Sequence, residues 1–229
     1  MQKIAQVDPR RLAFFDEFGS NLGMTRHYAR APSAERAYGK VPRNVGISIT
    51  LVLGLCQEGV VAPCAFQGPM NGHVFSIYMT EQVLPASPPD GIVVIDNLPA
   101  HHAEDVGDAL EERGVVVVED VEDLSALPAD DDAPCIQVWF LPPYSPELSP
   151  AEECGSKIKT LIRAKEPRTT LALIDVMGEA VGQVTPQDAQ GWFDHARRDR
   201  APRPRTEATD HGGEGGASTS DQLRAGPNG

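Results

Sequence analysis

The spacing of apolar residues changes several times along the chain, and each change marks an element. "RLAFFDEFG" (11–19) reads as a short strand that ends in a carboxylate pair and a glycine. "NVGISITLVLGLCQEGVVAPCAF" (44–66) reads as two strands, because two β-branched apolar runs flank the turn residues "QEG". In "NGHVFSIYMTEQVL" (71–84), Val74, Phe75, Tyr78, Met79 and Val83 recur at helical spacing. "GIVVIDN" (91–97) is a buried strand, since an unbroken apolar run needs cover on both faces. "AEDVGDALEERG" (103–114) predicts an amphipathic helix stopped by glycine, and "VVVV" (115–118) another buried strand.

After an acidic, loop-like stretch (119–135), "IQVWFL" (136–141) predicts a further strand. Helices are expected over 151–165 and 170–184. A last helix opens at "TPQDAQGWF", with Thr185 as cap, Pro186 at the first helical position and Asp188 at the third. From residue 200 on, Pro, Gly, Ser, Thr and charge replace apolar side chains, so 200–229 predicts a disordered tail behind one domain, 1–199. Strand, hairpin, helix, strand, helix, strand, helices is the order of an α/β fold, a mixed sheet flanked by helices.

Charge sharpens this picture. The chain of 229 residues carries a formal net charge of −13, which argues against a nucleic-acid binder that uses its whole surface. The acid is concentrated between Glu104 and Asp132, while bases gather in "RHYAR" (26–30), "KIKTLIRAK" (157–165) and "HARRDRAPRPR" (195–205), so local positive patches survive. Four cysteines, at 56, 64, 135 and 154, form no C-x-x-C pair and read as free thiols. No run of 18 apolar residues exists and no signal peptide is legible at the N-terminus, so a cytoplasmic location is expected.

Three acids stand out. Asp96 follows the run Ile92–Ile95, and a charge there leaves the core at a strand's C-terminal edge, where α/β folds commonly build sites. As plain structure, it would cap a turn. Asp16 ends the first strand in the same way. Glu152 follows "LPPYSPELSP", in which prolines fix φ and bias their predecessors away from helix, so the start of the helix and the direction of its first-turn acid are set. An acid there also suits the helix macrodipole. At about 100° per residue, Glu152 lies nearer the apolar face of Ala151, Cys154, Ile158, Leu161 and Ile162 than Glu153 does. Three carboxylates from distant parts of a chain suit hard cations such as Mg²⁺. Two such ions, roughly 3.5–4 Å apart, can clamp a phosphoryl displacement.

Taken together, "FFDEFGSNLGMTRHYARAP", "GIVVIDNLPAHH", "LPPYSPELSPAEECGSKIK" and "TPQDAQGWF" resemble a bacterial insertion-sequence transposase of the mariner superfamily, from about Leu12 to His195 and in order. The resemblance implies a ribonuclease H-like fold and a DDE triad of Asp16, Asp96 and Glu152 that binds two divalent ions, Mg²⁺ or Mn²⁺. It implies hydrolysis of a DNA phosphodiester at an element end and attack of the freed 3′-OH on target DNA. Double-stranded DNA is then the partner, with action at the bacterial nucleoid and a homodimer as the assembly. His101 matches the "AH" of the family's second block and is expected near metal or DNA. Arg26, His27 and Arg30, with Lys157, Lys159 and Arg163 on the helix after Glu152, are candidates for phosphate contacts, which position but do not read sequence. Trp192 and Phe193 read as core.

The chain departs from the family pattern in four places. Ser149 stands where the family usually has Asn, and Gly155 where it has Trp. A helical glycine costs on the order of 1 kcal/mol against alanine, and the missing indole predicts a packing gap. The segment between Asp96 and Glu152 is long, with the excess near 119–135. The chain also starts close to the first catalytic strand, which fits either the catalytic half of a split or frameshifted transposase, with the helix-turn-helix region that reads terminal repeats on a separate chain, or a truncated remnant. The competing reading is an inactive remnant or binding module of the same fold. A phosphoacceptor receiver-like domain lacks the paired acids and lysine it would need.

Overall fold

The computed structural model describes residues 4, 7–43, 45–96, 104–118, 135–142 and 148–200. His101, the acidic stretch up to residue 134 and the stretch from 201 on lie outside the described residues.

Among the described residues the strands are β1 (Leu12–Ser20), β2 (Ile49–Cys56), β3 (Gly59–Gln67), β4 (Ile92–Ile95), β5 (Val116–Val118) and β6 (Gln137–Phe140). They form one sheet in the order β3-β2-β1-β4-β6-β5. β1, β2 and β3 are antiparallel neighbours, and β4, β6 and β5 continue the sheet in parallel. The hairpin expected at "QEG" joins β2 to β3, with Gly59 at φ 130°, a conformation that glycine takes without strain.

The helices are α1 (Gly72–Tyr78), α2 (Leu84–Ala86), α3 (Glu104–Glu111), α4 (Pro150–Lys165), α5 (Thr170–Gly182) and α6 (Pro186–Arg200). Asn71 caps α1 by accepting from the Val74 N–H at 3.0 Å. The single helix expected over 71–84 is instead interrupted by a wide π turn, Met79–Val83, in which the Leu84 N–H bonds the Met79 carbonyl. Pro85 has no N–H to return to the carbonyl four residues back, so the regular ladder cannot run through this point. α6 begins as expected. The Asp188 N–H donates to Thr185 Oγ1 at 3.1 Å and the Thr185 N–H to Asp188 Oδ2 at 2.9 Å, a reciprocal cap. The helical bounds of α6 reach Arg200, where the tail was expected to begin.

The sheet separates two cores. On one face Leu12, Phe14, Phe18, Leu53, Leu55, Ile92, Val94 and Trp139 pack with Ala151, Cys154, Ile158 and Ile162 of α4, Leu173 and Met177 of α5, and Phe193 of α6. Phe193 meets Phe14 edge to face at 5.5 Å, as its core reading required. On the other face Phe15, Val52, Val93, Ile95, Val138 and Phe140 pack with Phe75 and Tyr78 of α1 and Val106 and Leu110 of α3. No helix among the described residues is long and apolar enough to cross a membrane.

Candidate active site

The register of β1 and β4 brings two acids to one level. Leu12, Ala13 and Phe14 pair in parallel with Ile92, Val93 and Val94. Asp16 and Asp96 each stand two residues beyond the last pair, Phe14 and Val94. A strand repeats every two residues, so both lie on the face that Phe14 and Val94 line, just past the end of the β1–β4 pairing. That is the face covered by α4. Asp96 follows β4, but Asp16 does not end its strand as expected: β1 runs on to Ser20 because β2 continues to pair with it, Asp16 with Leu53.

α4 brings the third acid. Pro150 occupies its first position, with Ala151, Cys154, Ile158 and Ile162 wholly buried against the sheet, a spacing of three and four residues. Glu152 and Glu153 fall in the first turn. Glu153 Oε1 lies 3.0 Å from His195 Nδ1 on α6. Glu152, about 100° round the helix from Glu153, lies within electrostatic reach of Asp16. Glu152 is exposed and Glu153 half-buried, the reverse of what the apolar wheel of α4 alone suggested. The reason is that α6 packs along the flank that carries Glu153.

Asp16 shows the electrostatic character of the edge. Its carboxyl is pushed up to about 7, first by burial, then by the charge on Glu152; the Glu17 N–H, which donates to Oδ1 at 2.8 Å, opposes this, Asp96 adds to it, and Lys159 opposes it. A carboxylate so crowded by like charge has an unmet demand for a cation. The donor set is all oxygen, which suits Mg²⁺ or Mn²⁺. Among the described residues, however, no three His, Cys, Asp or Glu side chains gather closely enough to hold a single ion. The acids converge on an edge, not on a point. Cys154, buried beneath Asp16, is pushed up to about 12 by burial and by that carboxylate, so its thiol is no nucleophile.

The basic candidates divide. Lys157 Nζ is held by Asp188 Oδ2 at 2.5 Å and the Gln183 carbonyl at 3.0 Å, which fastens α4 to the α5–α6 corner. Lys157, a candidate for phosphate contact, thus has two of its three ammonium donors engaged within the scaffold. Lys159 Nζ sits 4.8 Å from the centroid of the Phe18 ring. Arg163 is half-buried on α4. Arg26 Nη2 donates to the Ala164 carbonyl at 3.4 Å, tethering the segment between β1 and β2 to the end of α4, and Arg168 Nη1 reaches the Leu22 carbonyl at 3.3 Å. His27 and Arg30 are exposed on that segment.

The gap expected at Gly155 is closed. A Cβ placed there would stand 3.2 Å from Phe18 Cδ1 and Cε1 and 3.9 Å from Asp16 Oδ2. The ring of Phe18 fills the space from the strand side. Its part in the site went unread in the sequence, although the alternation Leu12, Phe14, Asp16, Phe18 along β1 was the signal for it.

Residues 11–174 match the family model described as DDE superfamily endonuclease. No curated protein matches the chain. Among solved structures, the Mos1 transposase paired-end complex with left transposon end superimposes with a TM-score of 0.61 at 14% identity, covering 86% of this chain and 55% of that one. The Mos1 strand transfer complex gives 0.59 at 16% identity, covering 83% and 52%. The chain thus spans about half the length of the Mos1 chains in those complexes. The catalytic domain of Mos1 mariner transposase gives 0.53 at 13% identity, covering 86% of this chain and 82% of that one. At such identities the likeness is one of fold, the ribonuclease H-like mixed sheet flanked by helices.

Proposed function

Because this chain belongs to the DDE superfamily endonucleases, we propose that it is the catalytic unit of a DNA transposase, cutting phosphodiester bonds at the ends of a bacterial insertion sequence and joining the freed 3′-OH to target DNA. The observation that carries the reading is the β1–β4 register, which puts Asp16 and Asp96 at one level, where Glu152 and Asp96 both oppose ionisation of the half-buried Asp16 carboxyl. Asp16, Asp96 and Glu152 would hold a pair of divalent ions. Divalent ions in such a pair activate the attacking oxygen and neutralise charge on the leaving one.

The chain's own residues supply the rest. β1 and β4 hold two carboxylates at fixed height, and the start of α4 holds the third. The segment between β1 and β2 carries Arg26, Arg30, Arg36, Lys40 and Arg43 against the single acid Glu35, with Tyr28 and Tyr38 about nine-tenths exposed. We assign it, with Arg163, to the DNA backbone, where positive side chains give affinity without reading sequence. His101 belongs to the same reading, as the histidine after Asp96. Recognition of the element's ends falls to a helix-turn-helix unit, and pairing of two ends to a homodimer, acting in the cytoplasm at the nucleoid.

A second reading, the same fold without activity, is favoured by one observation: the acids do not gather on a single point. One experiment decides between them. Duplex DNA carrying the repeats that flank the coding sequence is incubated with the chain, the helix-turn-helix unit and Mg²⁺ or Mn²⁺. Metal-dependent nicking that Asp96→Asn abolishes is expected. A wild-type chain that stays inert under these conditions establishes the inactive reading.

A further inference from the structure

Phe18 stands two residues beyond Asp16 and on the same face of β1, only 5% exposed. Its ring is pressed against α4 at Gly155, the one place on that turn where no side chain intervenes. One helical turn further, Lys159 lays its ammonium 4.8 Å from the centre of the ring. A lysine stem that follows apolar surface and ends at a charged edge is a common use of the residue, and an aromatic face holds the ammonium there. The other lysines of α4 are otherwise engaged, Lys157 with Asp188 and Lys165 with Glu179. Among the described residues Lys159 makes no such ion pair, yet its charge acts on Asp16.

We infer that Phe18 is a positioning residue that holds the Lys159 ammonium beside the carboxylate edge, where it balances the acids in the ion-free chain and must give way when a divalent ion arrives. This rests on reading the edge as a divalent-ion site. Two cations at one cluster of carboxylates repel each other, so Lys159 weakens ion binding while it occupies this place. Once displaced, its ammonium is free for a phosphate, and ion loading is thereby coupled to the grip on DNA.

The test is Mn²⁺ binding to the full chain without DNA, followed by titration calorimetry at neutral pH. Lys159→Met is expected to tighten the ion by roughly 3- to 10-fold, as loss of a nearby partly screened charge should. Lys165→Met, which removes a lysine already paired with Glu179, should change nothing. Phe18→Leu should tighten the ion less than Lys159→Met does. In the Lys159→Met background that effect should vanish, because the ring acts through the ammonium. Unchanged or weaker binding by Lys159→Met overturns the inference, as does a Phe18→Leu effect that persists without the lysine. Loss of Mn²⁺ binding in Asp16→Asn alongside an unaltered Lys159→Met removes only this inference. Failure of every variant to bind Mn²⁺ removes the metal reading of the edge as well.

Discussion

The two faces of the sheet receive consecutive acids from one strand and treat them differently. Asp16 turns toward α4, and Glu17, one residue later, toward the face of Phe15 and Phe75. The first face is covered by three long helices, and the first turns of α4 lie on β1, with Gly155 against Phe18 and near Asp16. Its opening turn can therefore add an acid to those of the strands. The second face is covered by α3 and the interrupted α1, and Glu17 has no matching acid from β4, whose Asp96 lies on the α4 side. A charge on a strand becomes a site only where other elements deliver a second and third charge beside it.

The sharpest way to break this comparison is to neutralise each acid in turn. Asp16→Asn is expected to lower DNA cleavage by about 10³-fold or more, the scale of losing a group that holds reacting charge. Glu17→Gln, isosteric and on the other face, should lower it by less than about tenfold. Single-turnover nicking in Mn²⁺ reads both. Equal losses would mean that the face of β1 does not decide which carboxylate does the chemistry.

The same acid should carry a stability cost. Its pKa in the folded chain, about 7, lies above the ordinary value of 3.8. Between those values the folded chain holds a proton that the unfolded chain releases. The contribution of Asp16 to stability is full below about pH 4 and is lost as pH rises through 7. Asn cannot ionise, so Asp16→Asn should stabilise the metal-free protein at pH 8 by about 1–2 kcal/mol and leave it unchanged near pH 3, the figure being discounted for the solvent that reaches this edge. Thermal melts in chelator at the two pH values measure it. Equal melting points at pH 8 would show that the edge relaxes enough to solvate the charge.

Much of this arrangement could be read from the chain because its signals are local. The β-branched runs of β2 and β4, the "QEG" turn and the Thr185–Asp188 cap each lie within a few residues of their effect. Asp96 could be placed at a strand end for the same reason, whereas Asp16 lies within β1, which β2 extends to Ser20. The family likeness was carried by blocks that include the start of α4. What could not be read depends on distant partners. The place of β1 between β2 and β4 is a pairing across tens of residues. The capture of Lys157 by Asp188 spans 31 positions, and the exposure of Glu152 relative to Glu153 is set by α6. Gly155 misled for a similar cause. A glycine in a helix suggests a missing side chain, but the side chain that fills the space comes from β1.

That last point sharpens the comparison of the faces. Gly155 sits on α4 over Phe18 and Asp16, and Gly107 on α3, on the other side of the sheet. A Cβ at Gly107 would meet no atom within 4 Å, whereas at Gly155 it would press on the Phe18 ring at 3.2 Å. Alanine is the better helix former by roughly 0.5–1 kcal/mol, and it also narrows the unfolded ensemble. Gly107→Ala should therefore stabilise the protein by about that amount in urea unfolding. At Gly155 the same gain meets a ring held on one side by the strand and on the other by Lys159. The ring must yield by a few tenths of an ångström. Gly155→Ala is thus expected to bring no gain, with a net loss of up to about 1 kcal/mol. Equal stabilisation by both alanines would mean that the contact between α4 and β1 has slack, and that the height of Asp16 at the edge does not depend on it.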